Sequence, residues 1–402
     1  MNRADVVGEP SLGDSLLQED RLSVSLMTLA LASSPWSTAL VELFAASLIV
    51  TFIFFRVKER GWKRLTAPNV LIVFWIAYAI VVAASIVASP FPQASLGYLN
   101  KHWHALLFPI VYYCAVSIEK VKIIARIFVV STAGAAIVCL AFFLSDGARY
   151  ASSPFIGETT FMVLVVIAGI LVATSANMRA SPGTPHWITH LVAGTPLILA
   201  VFLSTQRTPV ITLTVGVSAL MAVFRPKALV PWAVAVVFLL LLSPHVLWLK
   251  LLWTAGGHLD DRSIVWTEGI SLLPGLPLFG YGPDSYFRIL PAGTAFLNRP
   301  PVSWHNDLMQ TILDSGWIAG LAYAGLLGFL SVATARAAVR SKSSAQRTSL
   351  IGACVLIGIL LCFSMISAVL STTVLGVMFW ISLGLIGNLT RKELQNEPAF
   401  TN

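Results

Sequence analysis

A series of apolar runs constrains this chain most, each about as long as a helix that crosses a bilayer, roughly 17 to 25 residues. The clearest cover 38–55, 70–88, 123–144, 158–174, 187–204, 207–224, 229–248, 308–333, 349–370 and 372–389; weaker ones cover 22–34 and 103–117. Together they predict about twelve spans. The 402 residues are 57% apolar and only 11% charged, against roughly 25% charged in a soluble domain. A soluble fold of this length needs a charged surface, and this chain has none to offer. The expected fold is an all-α polytopic membrane protein. Residues 22–34 are short enough for a signal-like or interfacial segment, but no small-residue cleavage site follows a short basic start, so the segment is expected to stay.

Lys and Arg fix the expected orientation. Arg56, Lys58, Arg60, Lys63 and Arg64 crowd one turn; Lys120, Lys122 and Arg126, then Arg179, then Arg225 and Lys227 follow. Arg336, Arg340, Lys342 and Arg347, then Arg391 and Lys392, complete the set. If the spans alternate, all these turns share one side, which holds seventeen of the 26 basic residues and is therefore cytoplasmic. Topology accounts for the net charge of +8 without nucleic acid. Residues 1–20 and 390–402 are expected as cytoplasmic tails, the first of them poorly ordered, 21–249 and 305–389 as membrane regions, and 250–304 as a periplasmic loop. Cys114, Cys139, Cys354 and Cys362 lie inside predicted spans with neither zinc nor redox spacing.

The long polar insertion is where chemistry is expected, because loops beyond about 15 residues are usually functional or disordered and this one is rich in Trp, Leu, Phe, Gly and Pro. Its stretch "HLDDRSIVWTEGISLLPG" reads as a short amphipathic helix, capped by Asp260 or Asp261 and ended by Pro274 and Gly275. Arg262, Trp266, Gly269 and Leu273 then share one face. Two neighbouring carboxylates at a helix start read as a cap before a metal site. The next stretch, "PLFGYGPDSYF", allows a tight turn, either a plain surface turn or one that sets backbone amides against a ligand.

His305 stands at the start of the following membrane helix, with Asn306 or Asp307 as its N-cap. It reads either as an interfacial residue beside Trp304 or as a general base that the helix terminus keeps neutral. Gly316 and Gly320 are spaced as GxxxG, a pattern for close helix approach. Arg207, in "LSTQRTPV", either snorkels to the interface or points into a cavity between helix ends. Arg207, Arg262 and His305 all fall on one side; forked guanidiniums suit a pyrophosphate, and a base beside them suits group transfer.

The ordered set, an Arg after an apolar span, "DRSIVW", "PLFGYGPDSYF", then "HNDLMQTILDSGWIAG", resembles the signature of the O-antigen ligase and O-antigen polymerase superfamily. These are bacterial inner-membrane glycosyltransferases acting on glycans carried by undecaprenyl pyrophosphate. One departure is Ala319 where the family often has Gly. The resemblance implies His305 as the catalytic histidine and Arg207 and Arg262 as holders of the lipid-linked pyrophosphate; Asn306 and Asp307 are expected in support from their place at the helix start, and no cofactor or metal is expected. It implies as partners a lipid-linked glycan donor and an acceptor that is lipid A–core or a second glycan. About twelve spans and one dominant outer loop favour the ligase over the polymerase. A protein O-oligosaccharyltransferase fits less well, since this chain ends soon after Leu389. A transporter or glycolipid flippase is the other class; it calls for midplane charges and repeat symmetry, whereas the charges here gather at one face.

Overall fold

The protein is described from a computed structural model over residues 12–59, 69–114, 116–145, 151, 153–177, 186–255, 262–289 and 303–395. Among them all regular structure is helical. The first two helices, α1 (Leu12–Ser33) and α2 (Thr38–Glu59), pack as a pair joined by a tight turn; α1 begins at Leu12, inside the stretch expected to be irregular up to Asp20. After them come α3 (Val70–Ala88), α4 (Pro92–His102), α5 (Leu107–Tyr113), α6 (Ile118–Ser145), α7 (Glu158–Asn177), α8 (His186–Phe202) and α9 (Arg207–Phe224). Next are α10 (Leu229–Leu242), α11 (His245–Ala255), α12 (Arg262–Leu272) and the single turn α13 (Tyr286–Ile289). The chain finishes with α14 (Asp307–Arg340), α15 (Ser344–Ser367) and α16 (Thr373–Gln395).

Eight of the described helices are long and apolar enough to cross a bilayer: α2, α3, α6, α7, α9, α14, α15 and α16. The apolar stretches Arg21–Ser33 and His190–Phe202 are shorter. The most enclosed span is α16, which packs against α2, α5, α14 and α15. Its core side chains Phe379 and Trp380 meet Tyr323 of α14 and Phe108 of α5.

Two expected spans are not single helices. The run 229–248 breaks at Ser243 and Pro244, where α10 and α11 diverge by 113°. Pro244 offers no N–H and holds Ser243 extended (ψ 156°), as a residue before proline must be. The run 103–117 is a 3₁₀ turn, Trp103–Leu106, followed by the seven-residue α5. It nevertheless follows α16 from end to end. His104 lies against Gly376, Val111 against Gly384, and Tyr112 against Gly387. Packing on α16 replaces the regularity of a straight helix.

Among the described residues, the helix ends that flank the basic turns come together at one end of the bundle. Asn69, at the start of α3, donates to the Tyr112 hydroxyl, and the Arg391 guanidinium lies 4.8 Å from the Tyr112 ring centroid. Lys392 Nζ donates to the Val116 carbonyl at 2.8 Å, Gln346 meets Glu393, and Arg225 reaches the Ala176 carbonyl at 3.1 Å. The polar loop elements α12 and α13 belong to the other end, packed on the start of α14.

Candidate active site

The site is built on a break in α14. A straight helix of 34 residues would run about 51 Å, well beyond a hydrocarbon core of roughly 30 Å. Gly316 ends the first part with φ 84° and ψ 172°, a backbone conformation open to glycine and strained for other residues. The bend is sharp enough to lay Ile312 on Gly320, residues that would stand about 12 Å apart along a straight helix. Residues 307–315 therefore form a separate arm over the span 317–340. Gly316 is a joint, not half of the small-residue contact expected from its spacing.

The joint is closed by "PLFGYGPDSYF". The Tyr281 N–H donates to the Leu313 carbonyl and the Gly282 N–H to the Asp314 carbonyl, both at 2.9 Å. These carbonyls lose their helical partners at the break, so the loop supplies what the helix cannot. Of the two readings of this turn, the amides of Tyr281 and Gly282 serve the protein's own backbone. The turn is also tied to the end of α3 and to α4: Ser89 donates to the Tyr281 carbonyl (3.2 Å) and Ser95 of α4 to the Pro283 carbonyl (3.0 Å).

Trp304 fixes the approach to the arm. It is wholly enclosed, with Tyr286 edge-on at 4.6 Å between ring centroids, and Val265 and Leu313 complete this small core. Burial pushes the Tyr286 phenol above its usual range, so it stays neutral. The helix α12 forms where expected, followed by a 3₁₀ turn at Leu273–Gly275; its expected caps Asp260 and Asp261 lie outside the described residues. Gly269 lets α12 come close, since a Cβ there would stand 2.9 Å from the Met309 sulfur and 3.1 Å from the Trp304 ring. The Trp266 indole N–H donates to the Trp304 carbonyl at 3.0 Å.

His305 follows directly, with φ 52°, a left-handed conformation costing about 1–2 kcal/mol for a residue with a Cβ. Its N–H donates to Ser303 Oγ at 3.3 Å. Asn306 is the N-cap, accepting from the Met309 N–H at 2.9 Å. Asp307, the alternative cap, turns inward instead. It is buried and accepts from the Leu370 N–H at 3.1 Å, holding the turn between α15 and α16.

Arg262 opens α12, one helical turn before Trp266, so α12 and residues 303–309 carry Arg262 and His305 on one packed unit. Arg207 opens α9 and is 6% exposed, with Nη1 donating to the Lys250 carbonyl of α11 at 3.3 Å. An enclosed guanidinium under α11 is not a snorkelling one. Its level follows from register: Gly216 of α9 meets Ile359 of α15, nine residues after Arg207 and nine before Ala368. Arg207 therefore stands at the end where Asp307 grips Leu370. Among the described residues no group of His, Cys, Asp and Glu is arranged to hold a metal.

Sequence reasoning did not find Trp266 as a hydrogen-bond donor or Asp314 as a buried acid. Asp314 is 1% exposed, with Gln310 and Asp284 as polar neighbours. Its place beside a glycine that breaks the helix was the available signal.

The fold and the grouping of charged residues at one end define a multi-pass helical membrane protein with a polar site on a bent helix. Residues 192–324 match the family model described as O-antigen ligase. The matched third of the chain runs from α8 into α14, contains every candidate residue above, and supports the O-antigen ligase superfamily. No curated protein matches the chain.

Proposed function

We propose that this protein is a glycosyltransferase of the bacterial inner membrane that moves a glycan, the O-antigen, from undecaprenyl pyrophosphate to lipid A–core at the periplasmic face. The observation that carries this reading is the family match, whose residues 192–324 include Arg207, Arg262 and His305. That the site lies at the end opposite the basic turns supports it, because positive turns mark the cytoplasmic side.

In this reading His305 takes the proton of the acceptor hydroxyl as that oxygen attacks the anomeric carbon, a contribution of typically 10²–10⁴-fold. The bond from the anomeric carbon to the phosphate oxygen breaks, and the charge left on the polyprenyl pyrophosphate is met by Arg207 and Arg262. Preformed guanidiniums stabilise that charge without a metal. A single displacement with no covalent enzyme intermediate inverts the donor linkage. Asn306 fixes the start of the arm, and Asp307 fixes the arm to the α15–α16 turn.

A strain lacking the protein tests the ligase reading. Full-length lipid-linked glycan should accumulate; accumulation of single repeat units would instead mark a polymerase.

A further inference from the structure

The peptide plane that joins Trp304 to His305 carries two groups, the Trp304 carbonyl and the His305 N–H, and both are held. Trp266 Nε1 donates to the carbonyl at 3.0 Å, and Ser303 Oγ accepts from the N–H at 3.3 Å. The rotation of that plane about the next bond is φ of His305, which is 52°. A residue with a Cβ does not keep a left-handed φ unless its surroundings hold it there. If the plane flips, the strain is released and the imidazole leaves its place, while the chain path on either side barely changes.

The flip is opposed from one side by Trp266. Trp304 is wholly enclosed, so its carbonyl would be left in an apolar cage without the indole N–H, and a buried unpaired carbonyl is costly. Trp266 also lies one turn beyond Arg262 on α12, a helix seated on Trp304 and Met309 through Gly269. One indole therefore ties the backbone that leads into His305 to the helix that begins at Arg262.

We propose that Trp266 is a positioning residue of the transfer reaction, acting through the Trp304–His305 peptide plane to hold the imidazole in line with the acceptor hydroxyl and in register with Arg262. This rests on the glycosyltransferase reading above. It goes beyond it by assigning a role to a residue whose hydrogen-bond partner is the protein's own backbone.

The test is Trp266→Phe in the full-length protein in detergent or nanodiscs, with a polyprenyl-pyrophosphate-linked glycan as donor and lipid A–core as acceptor. Phe keeps most of the ring and loses the N–H. The expected result is a fall of at least tenfold in kcat, with donor KM within about twofold of the parent and a folded protein whose melting temperature drops modestly because the Trp304 carbonyl is unpaired. Trp266→Ala is the companion variant; it removes the ring one helical turn beyond Arg262 and should raise donor KM as well. A normal kcat in Trp266→Phe overturns the proposal, and so does a loss that appears only as lower melting temperature and lower yield. His305→Ala, measured beside them, separates the two claims. If it is inactive while Trp266→Phe is normal, only the positioning role falls. If it retains near-normal transfer, the reading beneath falls first.

Discussion

Gly316 and the Leu278 carbonyl meet so closely that a Cβ on Gly316 would stand 2.1 Å from that oxygen. This contact joins the "PLFGYGPDSYF" loop to the bent helix, and it makes one unit of two stretches of sequence nearly forty residues apart. The arm that carries Asn306 and Asp307 is aimed by this joint, because the helix changes direction at Gly316.

Gly316→Ala should therefore be among the most damaging single-methyl changes in the chain. Strain at φ 84° and a collision with backbone together should cost about 2 kcal/mol or more. Gly328→Ala is the control, since nothing lies within 4 Å of a Cβ there. Thermal melts of both variants in detergent should show a clear drop for the first and almost none for the second.

Asp307 should respond to its hydrogen bond more than to its charge. Asp307→Asn keeps an acceptor for the Leu370 N–H and should stay close to the parent in stability. Asp307→Ala leaves that buried N–H unpaired, at a cost of about 1–3 kcal/mol. Equal melting temperatures for the two variants would show that the hydrogen bond does not hold the α15–α16 turn.

Arg262→Lys keeps the positive charge and loses the fork that grips a pyrophosphate from two directions. Transfer should fall at least tenfold, with the larger share in donor KM. Unchanged transfer would remove Arg262 from the clamp.

The end of the bundle that holds Gln346, Arg391 and Lys392 should face the cytoplasm. In a variant lacking native cysteines, Lys342→Cys should react with a membrane-impermeant thiol reagent only after the membrane is opened. Labelling in intact spheroplasts contradicts the orientation.

Most of the spans were legible because length and apolarity are local properties. Where the sequence misled, a local signal was outweighed by another force. The run 229–248 is apolar throughout, so hydropathy hides the Ser243–Pro244 break that turns it by 113°. The crossing from Trp103 onward looks like a weak span because its irregular helices are supported by α16, hundreds of residues away. Gly316 was visible, but spacing alone does not distinguish a close helix contact from a joint; the loop donors Tyr281 and Gly282 decide it. Asn306 and Asp307 were equivalent as caps until the Leu370 N–H claimed Asp307. Arg207 and Arg262 stood out because charge is scarce in such a chain, and His305 because it opens a membrane helix. The indole of Trp266 did not, since its partner is a backbone carbonyl that no motif announces.

The most direct measurement of the central claim is transfer by purified His305→Ala from a polyprenyl-pyrophosphate-linked glycan to lipid A–core, with donor binding measured on the same sample. The variant should be a folded, membrane-inserted protein that binds the donor as the parent does and transfers at least a hundredfold more slowly, the scale of a lost general base. Near-normal transfer by that variant, or retention of anomeric configuration in the parent's product, would contradict that claim.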